Sequence, residues 1–117
     1  MIHLNLLLIS LLVSFPFKNS AIKCYAGSRG YIKGQQEQNF VNESCDDGME
    51  YCIESFSASF DSVTASCQTL STSRRILNLC ESGTPEVNKH GLTTRCCSDD
   101  LCNNFGIEKK KGADVKN

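Results

Sequence analysis

The longest apolar run of the sequence lies near its N-terminus. Residues 4–17 are mostly Leu, Ile, Val and Phe, and Pro16 ends the run shortly before Ala21. This is the length of a signal-peptide hydrophobic region, and it is too short to span a bilayer comfortably. We therefore predict a signal peptide over residues 1–21, with cleavage after Ala21. An N-terminal membrane anchor is the alternative interpretation.

After residue 21, short strand-like segments alternate with turn signals. Residues 50–56 (EYCIESF) are rich in strand-forming residues, and the small polar residues 57–62 indicate a turn before a returning strand from Val63. Glycines place an earlier turn within residues 27–38, and residues 92–96 read as the final strand. Residues 68–79 contain four apolar positions, but their spacing does not settle whether they form a short helix.

The cysteine content indicates what stabilises a domain with so few apolar residues. The chain has eight cysteines, all after residue 21, and no tryptophan. A core this small barely offsets the entropy of ordering the chain, so cross-links are needed. An even number of cysteines behind a secretory signal indicates four disulfides formed in an oxidising compartment. We expect a small, disulfide-rich, all-β domain that is secreted and soluble.

The most specific motif lies at the end of the cysteine-containing region. Residues 96–103 read CCSDDLCN, a cysteine doublet followed by a four-residue gap, a further cysteine and an asparagine. This pattern resembles the C-terminal signature of the three-finger superfamily, which includes three-finger toxins and the lymphocyte-antigen and urokinase-receptor (LU) domains. The six residues between Cys45 and Cys52 match that family as well. The resemblance spans residues 24–103 and implies three hairpin loops, called fingers, that leave a four-disulfide knot.

The resemblance also implies how the cysteines pair and where the fingers lie. The implied disulfides are Cys24–Cys52, Cys45–Cys67, Cys80–Cys96 and Cys97–Cys102. The fingers would then occupy residues 25–44, 53–66 and 81–95 of a domain over residues 22–105. Asn103 matches a family asparagine whose side chain ties loop backbones together at the knot. Many LU domains begin a fifth disulfide where this chain has Gly27, so only the four-disulfide core is expected.

Residues 106–117 are expected to form a polar C-terminal tail. They contain three consecutive lysines and no hydrophobic segment of the kind that a lipid anchor requires. We therefore expect no stable membrane anchor. The net charge of −1, with acids and bases mixed, gives no indication of nucleic-acid binding or of a strongly charged membrane partner.

The sequence offers little material for catalysis. His90 is the one histidine after residue 21, and no motif accompanies it. Oxidised cysteines provide neither a nucleophile nor zinc ligands. Asp99 and Asp100 form a carboxylate pair, which we interpret as part of a solvated turn, and phosphate-binding or dinucleotide-binding glycine motifs are absent. We expect neither enzymatic activity nor a cofactor.

By resemblance, the chain is expected to bind a cell-surface or extracellular protein, as a ligand or modulator of a receptor or channel. The alternatives are a structural or matrix-associated secreted protein and, more remotely, a secreted hydrolase. One modification motif, the sequon Asn42-Glu43-Ser44, predicts N-glycosylation at Asn42. The candidate partner-binding residues combine cations and aromatic anchors on the fingers: Arg29, Lys33, Phe56, Phe60 and Lys89. For the two phenylalanines, the alternative is that one of them packs on a neighbouring strand.

Overall fold

A computed structural model describes residues 21–109. Residues 1–20 of the predicted signal peptide and residues 110–117 of the predicted tail lie outside these described residues. Within residues 21–109, six antiparallel strands form one sheet, and two helices accompany it. The strands are β1 (Lys23–Ile32), β2 (Gln35–Ser44), β3 (Cys52–Phe56), β4 (Val63–Cys67), β5 (Glu86–Val87) and β6 (Thr93–Cys97). The helices are α1 (Arg74–Ser82) and α2 (Phe105–Glu108).

The spatial order of the strands is β2-β1-β4-β3-β6-β5, so three hairpins lie side by side. The first and longest pairs β1 with β2 over ten residues each. Its turn consists of Lys33 and Gly34, with φ angles of 52° and 81°. Two successive positive φ angles are what a two-residue type I′ turn requires, and this turn matches the natural twist of the strands.

The turn of the second hairpin also lies in the region that the sequence predicts. Residues 57–62 connect β3 to β4, and residues 88–92 connect β5 to β6. In the third turn, Asn88 Oδ1 accepts hydrogen bonds from the backbone N–H groups of His90, at 2.8 Å, and Leu92, at 3.0 Å. A side chain of Asn88 thereby organises the tip of the third hairpin.

Four disulfides connect the bases of the hairpins. The pairs in the structure are those that the resemblance implies: Cys24–Cys52, Cys45–Cys67, Cys80–Cys96 and Cys97–Cys102. Cys24 and Cys52 are fully buried and lie in a cluster with Cys45. The fold is therefore the expected small, disulfide-rich, mostly β domain, and its three hairpins are compatible with a three-finger arrangement.

Asn103 joins two of the hairpins at this disulfide cluster. Its side chain is fully buried. Oδ1 accepts a hydrogen bond from the Tyr25 N–H at 2.9 Å, while Nδ2 donates to the carbonyls of Tyr25 and Ile53, both at 3.0 Å. The asparagine therefore pairs backbone groups of β1 and β3 that a side chain of another shape would leave unsatisfied.

Helix α1 includes residues 74–79, part of the segment 68–79 whose structure the sequence did not settle. The Ser73 hydroxyl accepts a hydrogen bond from the Ile76 N–H at the start of the helix, and Gly83 ends it in the left-handed conformation, with φ of 74°. Leu79 and Cys80 are its buried residues, and Cys80 is bonded to β6. The helix is amphipathic, but it has nine residues, and an apolar pattern this short does not identify a helix from the sequence alone.

The two faces of the sheet differ. Residues that lie directly opposite one another in neighbouring strands form rows of side chains across the sheet, and two such rows lie on the same face. Helix α2 packs against the side chains of this face. We call it the covered face. Its apolar cluster consists of Phe56, Phe60 and Val63, with Phe40 and Ile107 packed against them.

Candidate binding surface

A buried carboxylate holds the start of α2 on the covered face. Only 1% of Glu54 is exposed. Its Oε1 accepts a hydrogen bond from the Gly106 N–H at 2.9 Å, and its Oε2 accepts one from the Phe105 N–H at 3.2 Å. Oε2 also forms an ion pair with the guanidinium of Arg95. Glu54 thus satisfies N–H groups that have no partner within the helix and has a cation beside it, as a buried charge requires.

A buried cation holds the other end of the same segment. The Arg29 guanidinium donates hydrogen bonds to the carbonyls of Ile107 and Lys109, both at 2.7 Å, and to those of Phe60 at 3.1 Å and Gly106 at 3.3 Å. Its Nε donates to Gln38 Oε1 at 2.8 Å. Arg29 therefore links the first and second hairpins to the C-terminal segment. We call residues 105–109, with Glu54 and Arg29, the C-terminal clasp.

The clasp corrects the expectation that Arg29 is a partner-binding residue. Arg29 is 6% exposed, and its guanidinium is committed to backbone carbonyls inside the domain. A partner does not reach it without displacing the C-terminal segment. Sequence reasoning did not identify Glu54 as a buried charge, although its neighbours on the same face of the predicted strand, Cys52 and Phe56, are apolar.

Phe56 and Phe60 are likewise not presented to a partner. Each is 6% exposed, and their ring centroids lie 5.2 Å apart. Phe60 adopts a φ of 61°, and the backbone turns there so that its ring packs onto Phe56 and not outward. The structure therefore shows the alternative, packing inside the domain, for both residues, since each ring lies against the other and against Phe105 of the clasp.

The packed part of the chain extends to Lys109, beyond residue 105, where the sequence placed the end of the domain. Gly106 is buried against Phe56: a Cβ at this glycine would lie 3.0 Å from the Phe56 ring. Ile107 packs on the apolar cluster. The signal for this packing was the apolar run Phe105-Gly106-Ile107 at the start of an otherwise polar segment.

The end of the first hairpin is an exposed element of the sheet. β1 pairs with β4 over three residues, Gly27 to Arg29. Among the described strands, the backbone of residues 30–38 therefore pairs only within the first hairpin. We call residues 30–38 the tip ribbon. Its residues 31–38 are all exposed, including Tyr31 at 45% and Ile32 at 59%.

Two of the predicted partner-binding residues are exposed at hairpin ends. Lys33 lies in the turn of the tip ribbon, and Lys89 lies in the turn of the third hairpin, next to His90. The strand order places these two hairpins at opposite edges of the sheet. Lys33 and Lys89 are therefore two separate cationic points and do not form one cluster.

Open space lies beside the tip ribbon. A groove of about 360 Å³ runs along the strands of the first hairpin. Its lining includes the apolar side chains of Tyr31 and Ile32 and the polar side chains of Glu37 and Asn39. A surface with apolar area flanked by hydrogen-bonding groups is chemically suited to contact with another protein.

The structure also places the remaining predicted residues. Asn42 is exposed on β2, so glycosylation there stays a prediction that the geometry allows. The sulfur atoms of Cys24, Cys45 and Cys67 lie within 4.8 Å of one another. All three belong to disulfides, so they are not the thiolates that bind metals. His90 is exposed, and residues 21–109 contain no second histidine.

Neither of the helices in residues 21–109 is long and apolar enough to cross a bilayer. Comparisons of this chain with protein-family models, with curated proteins and with solved structures found no match.

Proposed function

We propose that this chain is a secreted, non-enzymatic binding protein of the three-finger type. In this proposal it resembles LU domains with four disulfides, and it binds a cell-surface receptor, a channel or another extracellular protein. Four disulfides and the hairpin arrangement support the family assignment and an oxidising compartment. The tip ribbon is the contact region that the geometry favours.

The observation that carries the proposal is the combination of exposure and rigidity in the tip ribbon. Its backbone is ordered by cross-strand pairing and by a type I′ turn before any partner arrives. A pre-organised hairpin loses little conformational freedom on binding, so more of the contact energy contributes to affinity. Tyr31 and Ile32 supply apolar area, and Lys33 supplies a positive charge at the end of the ribbon.

The second hairpin is not the favoured contact. Receptor-blocking three-finger toxins use cations at the tip of the second finger, and residues 53–66 of this chain contain no lysine or arginine. Its two phenylalanines are buried. Lys33 and Lys89, at the ends of the first and third hairpins, favour a partner with an acidic surface, because complementary charges accelerate association and set orientation.

The test measures binding of the oxidised, secreted protein to intact cells. Fluorescently labelled protein is titrated onto a panel of cell lines, and unlabelled protein is used as competitor. We expect saturable, competed binding on some lines and none on others. Binding to deposited matrix on every line, without saturation, would instead favour a matrix-associated structural role.

Two matched variants locate the contact. Ile32→Ala should weaken binding by about tenfold, which is the loss typical of truncating a contributing interface residue. Leu70→Ala removes the same kind of aliphatic surface from a residue that is 91% exposed in the loop before α1. It should leave binding unchanged. Equal affinities for the two variants would refute the tip ribbon as the contact.

A further inference from the structure

Among the strands of residues 21–109, β2 forms one edge of the sheet. It is first in the strand order and pairs with β1 on one side. Nine of its ten residues are exposed, Phe40 being half-buried. On the outer side of an antiparallel edge strand, alternate residues present unpaired N–H and C=O groups, which are able to pair with another strand.

This edge lacks the residues that usually prevent strand pairing. Natural edge strands are protected by lysines, by prolines or by a covering element. β2 reads QQEQNFVNES and contains none of these residue types, and its charged residues are Glu37 and Glu43. Most of its other side chains are amides, which hydrogen-bond well to amides of an adjacent strand. A ten-residue edge with this composition is suited to pairing.

The sequence of β2 is complementary to itself in the antiparallel direction. If two copies pair around a two-fold axis at Asn39, so that Asn39 faces Asn39 of the other copy, Glu37 lies opposite Val41 of that copy. Glu43 then lies opposite Gln35, so no like charges face each other directly. A symmetric pair of identical strands is the simplest closed assembly available to a single chain.

We propose that the outer edge of β2 pairs with β2 of a second copy of this chain, and that a glycan on Asn42 prevents this pairing. The predicted sequon lies on the same strand, and its asparagine is exposed. A bulky glycan attached there covers the neighbouring backbone and the space that the second strand needs. The pairing does not rest on the proposed receptor contact; only the glycan step assumes secretion.

The experiment compares the oxidised protein with and without the sequon. Ser44→Ala removes the glycan without altering Asn42, and Asn42→Gln provides a second unglycosylated form. Sedimentation equilibrium should give the mass of two chains for both variants at high concentration and of one chain for the glycosylated wild type. An unglycosylated variant that stays at one chain at every concentration overturns the pairing. Equal association of glycosylated and unglycosylated forms overturns the shielding.

Charge variants in the Ser44→Ala background test the register. Gln35→Glu places two carboxylates opposite each other twice in the symmetric pair and should weaken association by about tenfold or more. Gln35→Lys puts a cation opposite Glu43 and should strengthen association. Thr64→Glu is the matched control, since Thr64 is exposed on the central strand β4, whose backbone is paired on both sides. If Thr64→Glu weakens association as much as Gln35→Glu, the β2 edge is not the interface.

Discussion

Replacing Arg29 by alanine tests whether the C-terminal clasp stabilises this domain. The substitution removes five hydrogen bonds from the guanidinium, four of them to backbone carbonyls of the second hairpin and the C-terminal segment. The bonds to Phe60 and Gly106 are buried, so these two carbonyls lose a partner where water does not readily replace it. The carbonyls of Ile107 and Lys109 are nearer solvent and are expected to recover part of their hydrogen bonding.

The two buried carbonyls determine how much stability Arg29→Ala is expected to lose. Each buried polar group left without a partner costs about 1–3 kcal/mol, so we expect Arg29→Ala to lower the free energy of unfolding by about 3 kcal/mol. This is a large part of the roughly 5–15 kcal/mol that stabilises a typical domain. For a domain of this size, the melting temperature should fall by about 12–24 °C. Arg29→Lys keeps the charge but not the planar fork, and should lose an intermediate amount.

Unfolding by guanidinium chloride, with the disulfides intact, measures the change in the free energy of unfolding. Far-ultraviolet circular dichroism follows the unfolding. Lys89→Ala is the control, because Lys89 is an exposed cation in a turn and should change stability by less than about 0.5 kcal/mol. Hydrogen exchange of residues 106–109 gives a local readout, and these amides should exchange faster in Arg29→Ala alone. If Arg29→Ala and Lys89→Ala unfold at the same denaturant concentration, the clasp does not stabilise the fold.

Three further predictions concern the knot, the first hairpin and α1, each measured by urea titration of the oxidised protein. Asn103→Ala should cost about 2–4 kcal/mol, since it leaves buried backbone groups of β1 and β3 unpaired; a loss below 1 kcal/mol contradicts its role. Gly27→Ala should cost about 2–4 kcal/mol because its φ is 143° and its Cβ would lie 1.8 Å from a backbone oxygen. Gly30→Ala, with open space around it, is the control and should change stability by less than 1 kcal/mol. Replacing Cys80 and Cys96 together by serine should cost about 3 kcal/mol and release α1 from β6; unchanged exchange of the α1 amides would argue against this.

Several features of the fold could be predicted from the sequence because they depend on neighbouring residues. Turns form where residues such as Gly34 allow positive φ angles, and strands form between them. The disulfide pairs were implied by a family resemblance, and that resemblance rests on short spacings between cysteines, including the cysteine doublet. The presence of α1 was left open because the helix has nine residues, fewer than the window over which apolar periodicity separates a helix from a strand or loop.

The presentation of the candidate binding residues was decided by tertiary structure. Arg29, Phe56 and Phe60 have the residue types of interface anchors, yet they meet a C-terminal segment that lies far away in sequence: Arg29 donates to a carbonyl 80 residues later. No local pattern encodes which side chains that segment covers, because burial is a property of long-range packing. Lys33 and the tip ribbon are exposed for the complementary reason, since the second hairpin pairs with β1 over residues 27–29 and the ribbon extends beyond that pairing.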